Sequence, residues 1–135
     1  MFGGRWNPPE SFATIYFADS MSTCAAEFRR MAEAQGLPSR AFRPRSLHVV
    51  QADEIELLDL SSEERLAAVD LRLGDVIADE RSHCQNVGEG SYFLGMQGVR
   101  APSATGRGLV IAVFNLRLRP GQLRVIETTE LAIDG

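Results

Sequence analysis

The chain has 135 residues and a mass of 14.8 kDa, with 44% apolar and 24% charged residues, a composition that supports one folded domain and excludes a disordered tail. All fourteen basic residues are arginine, so chemistry built on a lysine amine, such as a P-loop, a Schiff base or a pyridoxal anchor, is excluded. With eighteen acids the net charge is −4 and the pI about 5.2, so no global field favours nucleic acid or an anionic membrane and any anion must be held locally.

The opening Gly3-Gly4-Arg5-Trp6-Asn7-Pro8-Pro9 mixes permissive and rigid residues and reads as a shaped loop that presents Arg5 and Trp6. Phe12 to Ala18 alternates as a strand, with Ala13, Ile15 and Phe17 on one face and Tyr16 on the other. Ser20 or Ser22 caps a helix that runs to about Gln35, where Gly36 and Pro38 stop it. Cys24, Phe28, Met31 and Gln35, beside Ala25 and Ala32, predict its buried stripe, with Glu27 at the edge.

Ser46 to Val50 and Glu54 to Leu60 read as strands around Asp53, arranged as a hairpin. Ser61-Ser62-Glu63-Glu64 has capping-box spacing and opens a helix through Leu71, broken at Gly74. One or two short helices between Asp75 and Gly98 carry Val76, Ile77, Val87, Phe93 and Leu94. Leu109 to Leu118 and Leu123 to Leu131 flank Pro120-Gly121 and predict a closing hairpin. The whole predicts a single α+β domain with a mixed or antiparallel sheet and flanking helices.

Several chemical motifs are missing. Gly88-x-Gly90 and Gly106-x-Gly108 lack the third glycine of a dinucleotide fingerprint, and no serine occupies a G-x-S-x-G elbow. Cys84 beside His83 suggests a thiol with its base, but sequence neighbours on a helix point apart, so a packed cysteine is favoured. Cys24 and Cys84 have neither disulfide nor zinc spacing, which fits a reducing cytoplasm, and no stretch is long and apolar enough for a signal peptide or membrane span.

Arg5, Tyr16 and Glu27 remain, each eleven positions after the last, followed later by Pro102-Ser103 and Gly106-Arg107-Gly108. Arginine, aromatic, carboxylate and hydroxyl are the groups needed to hold a dinucleotide and cleave its glycosidic bond: Arg5 forks onto a diphosphate, Tyr16 stacks on a cationic ring, and Glu27 stabilises a ribosyl cation or binds its hydroxyl. One carboxylate suffices, because nicotinamide leaves as a neutral amide. On spacing alone the plainer reading is favoured, in which Arg5 braces its loop, Tyr16 sits in the core and Glu27 is solvated.

Gly3 to Pro9 resembles the GGRWNPPG signature of the RES domain family, the toxins of RES–Xre toxin–antitoxin pairs. Ile15-Tyr16-Phe17-Ala18, Cys24-Ala25-Ala26-Glu27, Leu57-Leu58-Asp59-Leu60 and Gly98-Val99-Arg100-Ala101-Pro102-Ser103 follow in the family's order. Glu10 stands where the family usually has glycine, and Ala101 where an aromatic is common. The resemblance implies a fold related to diphtheria-toxin-like ADP-ribosyltransferases over residues 1–135, NAD as substrate with no metal, and an Xre-type antitoxin as partner. It implies cleavage of the nicotinamide–ribose bond by hydrolysis, phosphorolysis or ADP-ribosyl transfer. Arg5 and Ser103 would orient phosphates and ribose, Tyr16 would pack on nicotinamide, and Glu27 would stabilise the cation. Relatives carry a few dozen residues ahead of the signature, so the expectation is that the family's first strand is lacking; the alternative is a non-catalytic remnant that keeps only antitoxin binding.

Overall fold

Local rules build the first strand and helix of the computed structural model, which describes residues 4–36 and 46–130. β1 (Thr14–Ala18) runs directly into α1 (Met21–Ala34), whose N-cap is Ser20, its hydroxyl accepting the Thr23 N–H at 3.1 Å. The chain then forms β2 (Ser46–Ala52), β3 (Leu57–Asp59), α2 (Glu63–Ala67), α3 (Leu73–Ile77), α4 (Ser82–Phe93), β4 (Gly98–Pro102), β5 (Leu109–Phe114) and β6 (Leu123–Glu130). A 3₁₀ turn covers Asn115–Arg117. The architecture is α+β, as expected.

A four-stranded mixed sheet has the order β1-β5-β4-β3, antiparallel except for β3 against β4, and a separate two-stranded antiparallel ribbon pairs β2 with β6. Both predicted hairpins are therefore corrected. β2 and β3 follow one another but lie in different sheets, and so do β5 and β6. The parallel β3–β4 pair explains the first correction, because a parallel pair needs a long crossover, which here carries α2, α3 and α4. The helix break is also relocated: it falls after Ala67, where Asp70 takes φ 59°, and Gly74 lies inside α3. Ser62, rather than Ser61, caps α2. Leu131 lies outside the described residues.

The core gathers Trp6, Phe12, Leu60, Leu66, Val76, Val99 and Phe114 between the sheet and α2–α4. Phe12 stacks on Tyr92 at 4.1 Å between centroids and meets the edge of Phe114 at 5.0 Å, so the segment before β1 is fastened to α4 by its ring. The apolar stripe expected on α1 is rotated. Thr23 and Ala32 are buried, whereas Cys24, Ala25, Met31 and Gln35 are exposed and Phe28 is half-buried.

Candidate functional site

The loop carrying Arg5 is held from three sides. Within it, the Gly4 N–H donates to both the carbonyl and Oδ1 of Asn7, each at 3.0 Å. From β1, the Tyr16 hydroxyl accepts the Trp6 N–H at 3.0 Å and donates to Asn7 Oδ1. From α4, Gln85 Nε2 donates to the Gly4 carbonyl at 2.8 Å, and a Cβ on Gly88 would collide with the Trp6 carbonyl. The tight approach of α4 to this loop explains Gly88 without any dinucleotide fingerprint. After the double proline, Glu10 takes φ 59°, so the left-handed turn that favours glycine is retained with a glutamate in it.

Fixed in this way, Arg5 is half-buried and donates from Nη1 to the Asp75 carbonyl at 3.3 Å. The same carbonyl lies 3.7 Å from Cys84 Sγ, so arginine and cysteine share one acceptor. Burial lowers the pKa of Arg5, and neighbouring Arg81 and Arg30 lower it further while Cys84 opposes them. Burial likewise pushes the Cys84 thiol up despite the Arg5 charge beside it. Cys84 is fully buried and His83 exposed, as the packed-cysteine reading expected. Tyr16 has its pKa pushed up to about 12 by burial, so it is a neutral phenol whose hydroxyl is committed to the loop while the residue as a whole remains 41% exposed.

Glu27 and Ser103 meet directly. The Ser103 hydroxyl donates to Glu27 Oε1 at 2.5 Å, a contact between residues 76 apart in sequence. Ser103 follows the end of β4 and opens a turn closed by Ser103 N–H to the Gly108 carbonyl at 2.9 Å. Its hydroxyl also accepts the Thr105 N–H at 3.1 Å, so the rotor is fixed toward the carboxylate. Gly108, at φ 75°, lies against α1 so closely that a Cβ would strike the Thr23 hydroxyl. Thr23 and Glu27, one turn apart, thus present the inward face of α1 to this turn.

Four predicted residues therefore form two pairs, Arg5 with Tyr16 through the loop and Glu27 with Ser103 through a hydrogen bond. Arg30, three residues beyond Glu27, links them: its Nη2 donates to the Ile77 carbonyl at 2.9 Å on the same short helix that receives Arg5, and its charge reaches Arg5. Sequence reasoning missed Arg30, Arg81, Asn7 and Gln85. The available signal for Arg30 was its i+3 spacing from Glu27. A cavity of about 460 Å³ is lined by Asp53, Glu54, Arg119, Pro120, Gly121 and Gln122, none of them a predicted site residue. Among the described residues no helix is long and apolar enough to cross a membrane, and His48 sits exposed on β2, 2.9 Å from the Thr128 hydroxyl.

A mixed sheet that carries a braced arginine loop at one strand and a carboxylate–hydroxyl pair between α1 and the turn after β4 defines a small α+β domain. A model of the RES domain matches residues 1–134, and the chain belongs to that family. Similar proteins include the NAD(+) phosphorylase MbcT of Mycobacterium tuberculosis (strain H37Rv) and of Mycobacterium bovis, each 41% identical over 135 residues, covering 96% of this chain and 71% of theirs. The crystal structure of the M. tuberculosis MbcT–MbcA toxin–antitoxin complex contains a similar chain, with a TM-score of 0.85 and 40% identity over 96% of this chain and 72% of that one.

Proposed function

We propose that the protein is a RES-type toxin that binds NAD and breaks its nicotinamide–ribose bond, and that an antitoxin of the Xre type restrains it in the cytoplasm. The observation that carries this reading is the 2.5 Å contact between Ser103 and Glu27. It fixes a single carboxylate on a rigid helix, oriented by a buried hydroxyl. The likeness to an NAD(+) phosphorylase and to a toxin–antitoxin complex supports the substrate and the partner.

The chemistry follows from the leaving group. When the C–N bond breaks, the electron pair goes to the ring nitrogen, which loses its positive charge, and nicotinamide departs without needing a proton. Positive charge develops on the ribose instead, and a carboxylate held in place before the reaction stabilises it at no reorganisation cost. Glu27 supplies that charge. Ser103 keeps the carboxylate from rotating away, Arg5 holds a phosphate of the dinucleotide through the donors its carbonyl bond leaves over, and Tyr16 offers its exposed ring to the pyridine. An acceptor oxygen, from phosphate in the reading that the relatives favour, then closes on the ribose carbon.

Glu27→Gln tests this with little disturbance, since the amide keeps an oxygen to accept from Ser103 and removes only the charge. Nicotinamide release from NAD should fall by about two to three orders of magnitude with the melting temperature unchanged. An unaltered rate removes Glu27 from the mechanism. A wild-type chain that binds an Xre-type antitoxin yet releases no nicotinamide would be the non-catalytic remnant instead.

A further inference from the structure

Two guanidiniums hang on one short helix. Arg5 donates to the Asp75 carbonyl at 3.3 Å and Arg30 to the Ile77 carbonyl at 2.9 Å, both at the end of α3 where helix carbonyls lack partners within the helix. Arg81 lies four residues beyond Ile77, at the start of α4, exposed and without a side-chain capping bond. Each guanidinium has five donors, and these anchors spend few of them. Arg30 adds one ion pair, 3.7 Å to an Asp79 side chain that is wholly in solvent and free to swing aside. The Asp75 carboxylate takes the Arg72 N–H at 2.8 Å and Glu80 takes the Ser82 N–H at 2.5 Å, bonds that hold both acids to the backbone without removing their charge. Three like charges are thus gathered at one edge of the site. Burial first, then the charges of Arg81 and Arg30, weigh against Arg5 keeping its proton, and Arg81 and Arg5 also reach Tyr16.

We propose that Arg30 and Arg81 join Arg5 in a phosphate clamp built on the carboxyl end of α3, taking a phosphate group of the reactants beside the carboxylate of Glu27. This rests on the NAD-cleaving reading above. The geometry suits an oxyanion because Arg5 and Arg30 are anchored to fixed carbonyls two residues apart, and the charge of the exposed Arg81 also reaches Arg5. The phosphate is either the diphosphate of the dinucleotide or a free phosphate acceptor. In the second case one phosphate oxygen forms the new bond to the ribose carbon as the C–N pair leaves with nicotinamide, and no further reactant is required.

The test varies NAD and inorganic phosphate independently while nicotinamide release is followed, in wild type, Arg30→Gln, Arg81→Gln and Arg30→Lys. Each glutamine variant should raise one KM about tenfold, as loss of one charge-assisted bond predicts, and by more than it lowers kcat. Arg30→Lys should recover part of the loss by restoring the charge. A rise confined to the KM for phosphate assigns the clamp to the acceptor; a rise in the KM for NAD that persists without phosphate assigns it to the diphosphate. Both KM values within twofold of an active wild type would overturn the clamp and leave the NAD reading standing. Calorimetric titration with inorganic phosphate and with ADP-ribose gives the converse arm. Binding weakened in Arg30→Gln supports the clamp even if the wild type proves inactive, and wild-type binding of neither ligand refutes it.

Discussion

Tyr16→Phe isolates the hydroxyl that supports the Arg5 loop, because phenylalanine keeps the ring and removes only one oxygen. That oxygen accepts the N–H of Trp6, a residue 1% exposed, and donates to Asn7 Oδ1. In the variant the Trp6 N–H has lost its acceptor in a water-poor place, at a cost of about 1–3 kcal/mol, whereas Asn7 Oδ1 keeps the Gly4 N–H and its loss is smaller, about 0.5–1 kcal/mol. The sum, about 1.5–4 kcal/mol, corresponds in a chain of this size to a fall in Tm of roughly 5–16 °C. Because Arg5 adjoins the loosened peptide, the KM for NAD should rise more than kcat falls. A second signature lies at alkaline pH. The folded phenol has its pKa pushed up to about 12, above the ordinary 10, so its link to stability is silent below pH 10 and stability is lost as pH rises from 10 towards 12. Phenylalanine has no such loss, and the stability gap between variant and wild type should narrow over that window. Denaturation at pH 8 and at pH 11 reads both effects. Equal Tm values at pH 8 would refute the strut, and a gap of the same size at both pH values would refute the shielding of the phenol.

Ser103→Ala removes the donor to Glu27 and the acceptor of the Thr105 N–H from a fully buried position, so kcat for nicotinamide release should fall about tenfold or more with about 1–2 kcal/mol of stability lost. A kcat equal to wild type would show that the carboxylate needs no partner. Alkylation of the native protein near neutral pH should label Cys24, which is exposed, and spare Cys84, which is buried with its thiol pushed up. Mass spectrometry that finds rapid double labelling without denaturant would contradict the packing beneath Arg5.

What was legible in the sequence was whatever a few neighbouring residues decide. Ser20 caps α1 and the helix ends before Gly36 because a hydroxyl and a glycine act on the adjacent turn alone. Strand partners are chosen at long range, and there the local signals misled. Asp53 between two short strands, and Pro120-Gly121 between two others, look like hairpin turns, yet β2 crosses to β6 and β3 lies parallel to β4. The overlooked cue was the stretch between Leu60 and Gly98. It carries three helices and no strand, and a connection of that kind returns a chain parallel to where it left.

The misplaced stripe on α1 has a different cause. Apolar periodicity assigns the inward side to Cys24, Phe28 and Met31, but the helix turns Thr23 and Glu27 toward the Ser103–Gly108 turn and sends Arg30 to α3, leaving Cys24 and Met31 exposed. A helix gains by burying its apolar stripe, and it departs from that rule where polar partners on the inner side satisfy one another. Here they do: a carboxylate meets a hydroxyl at 2.5 Å and a guanidinium meets a carbonyl at 2.9 Å. The error in the stripe and the position of the candidate site therefore have one cause, since the helix turns inward the edge of the stripe on which Glu27 stands and the polar side beyond it that carries Thr23 and Arg30.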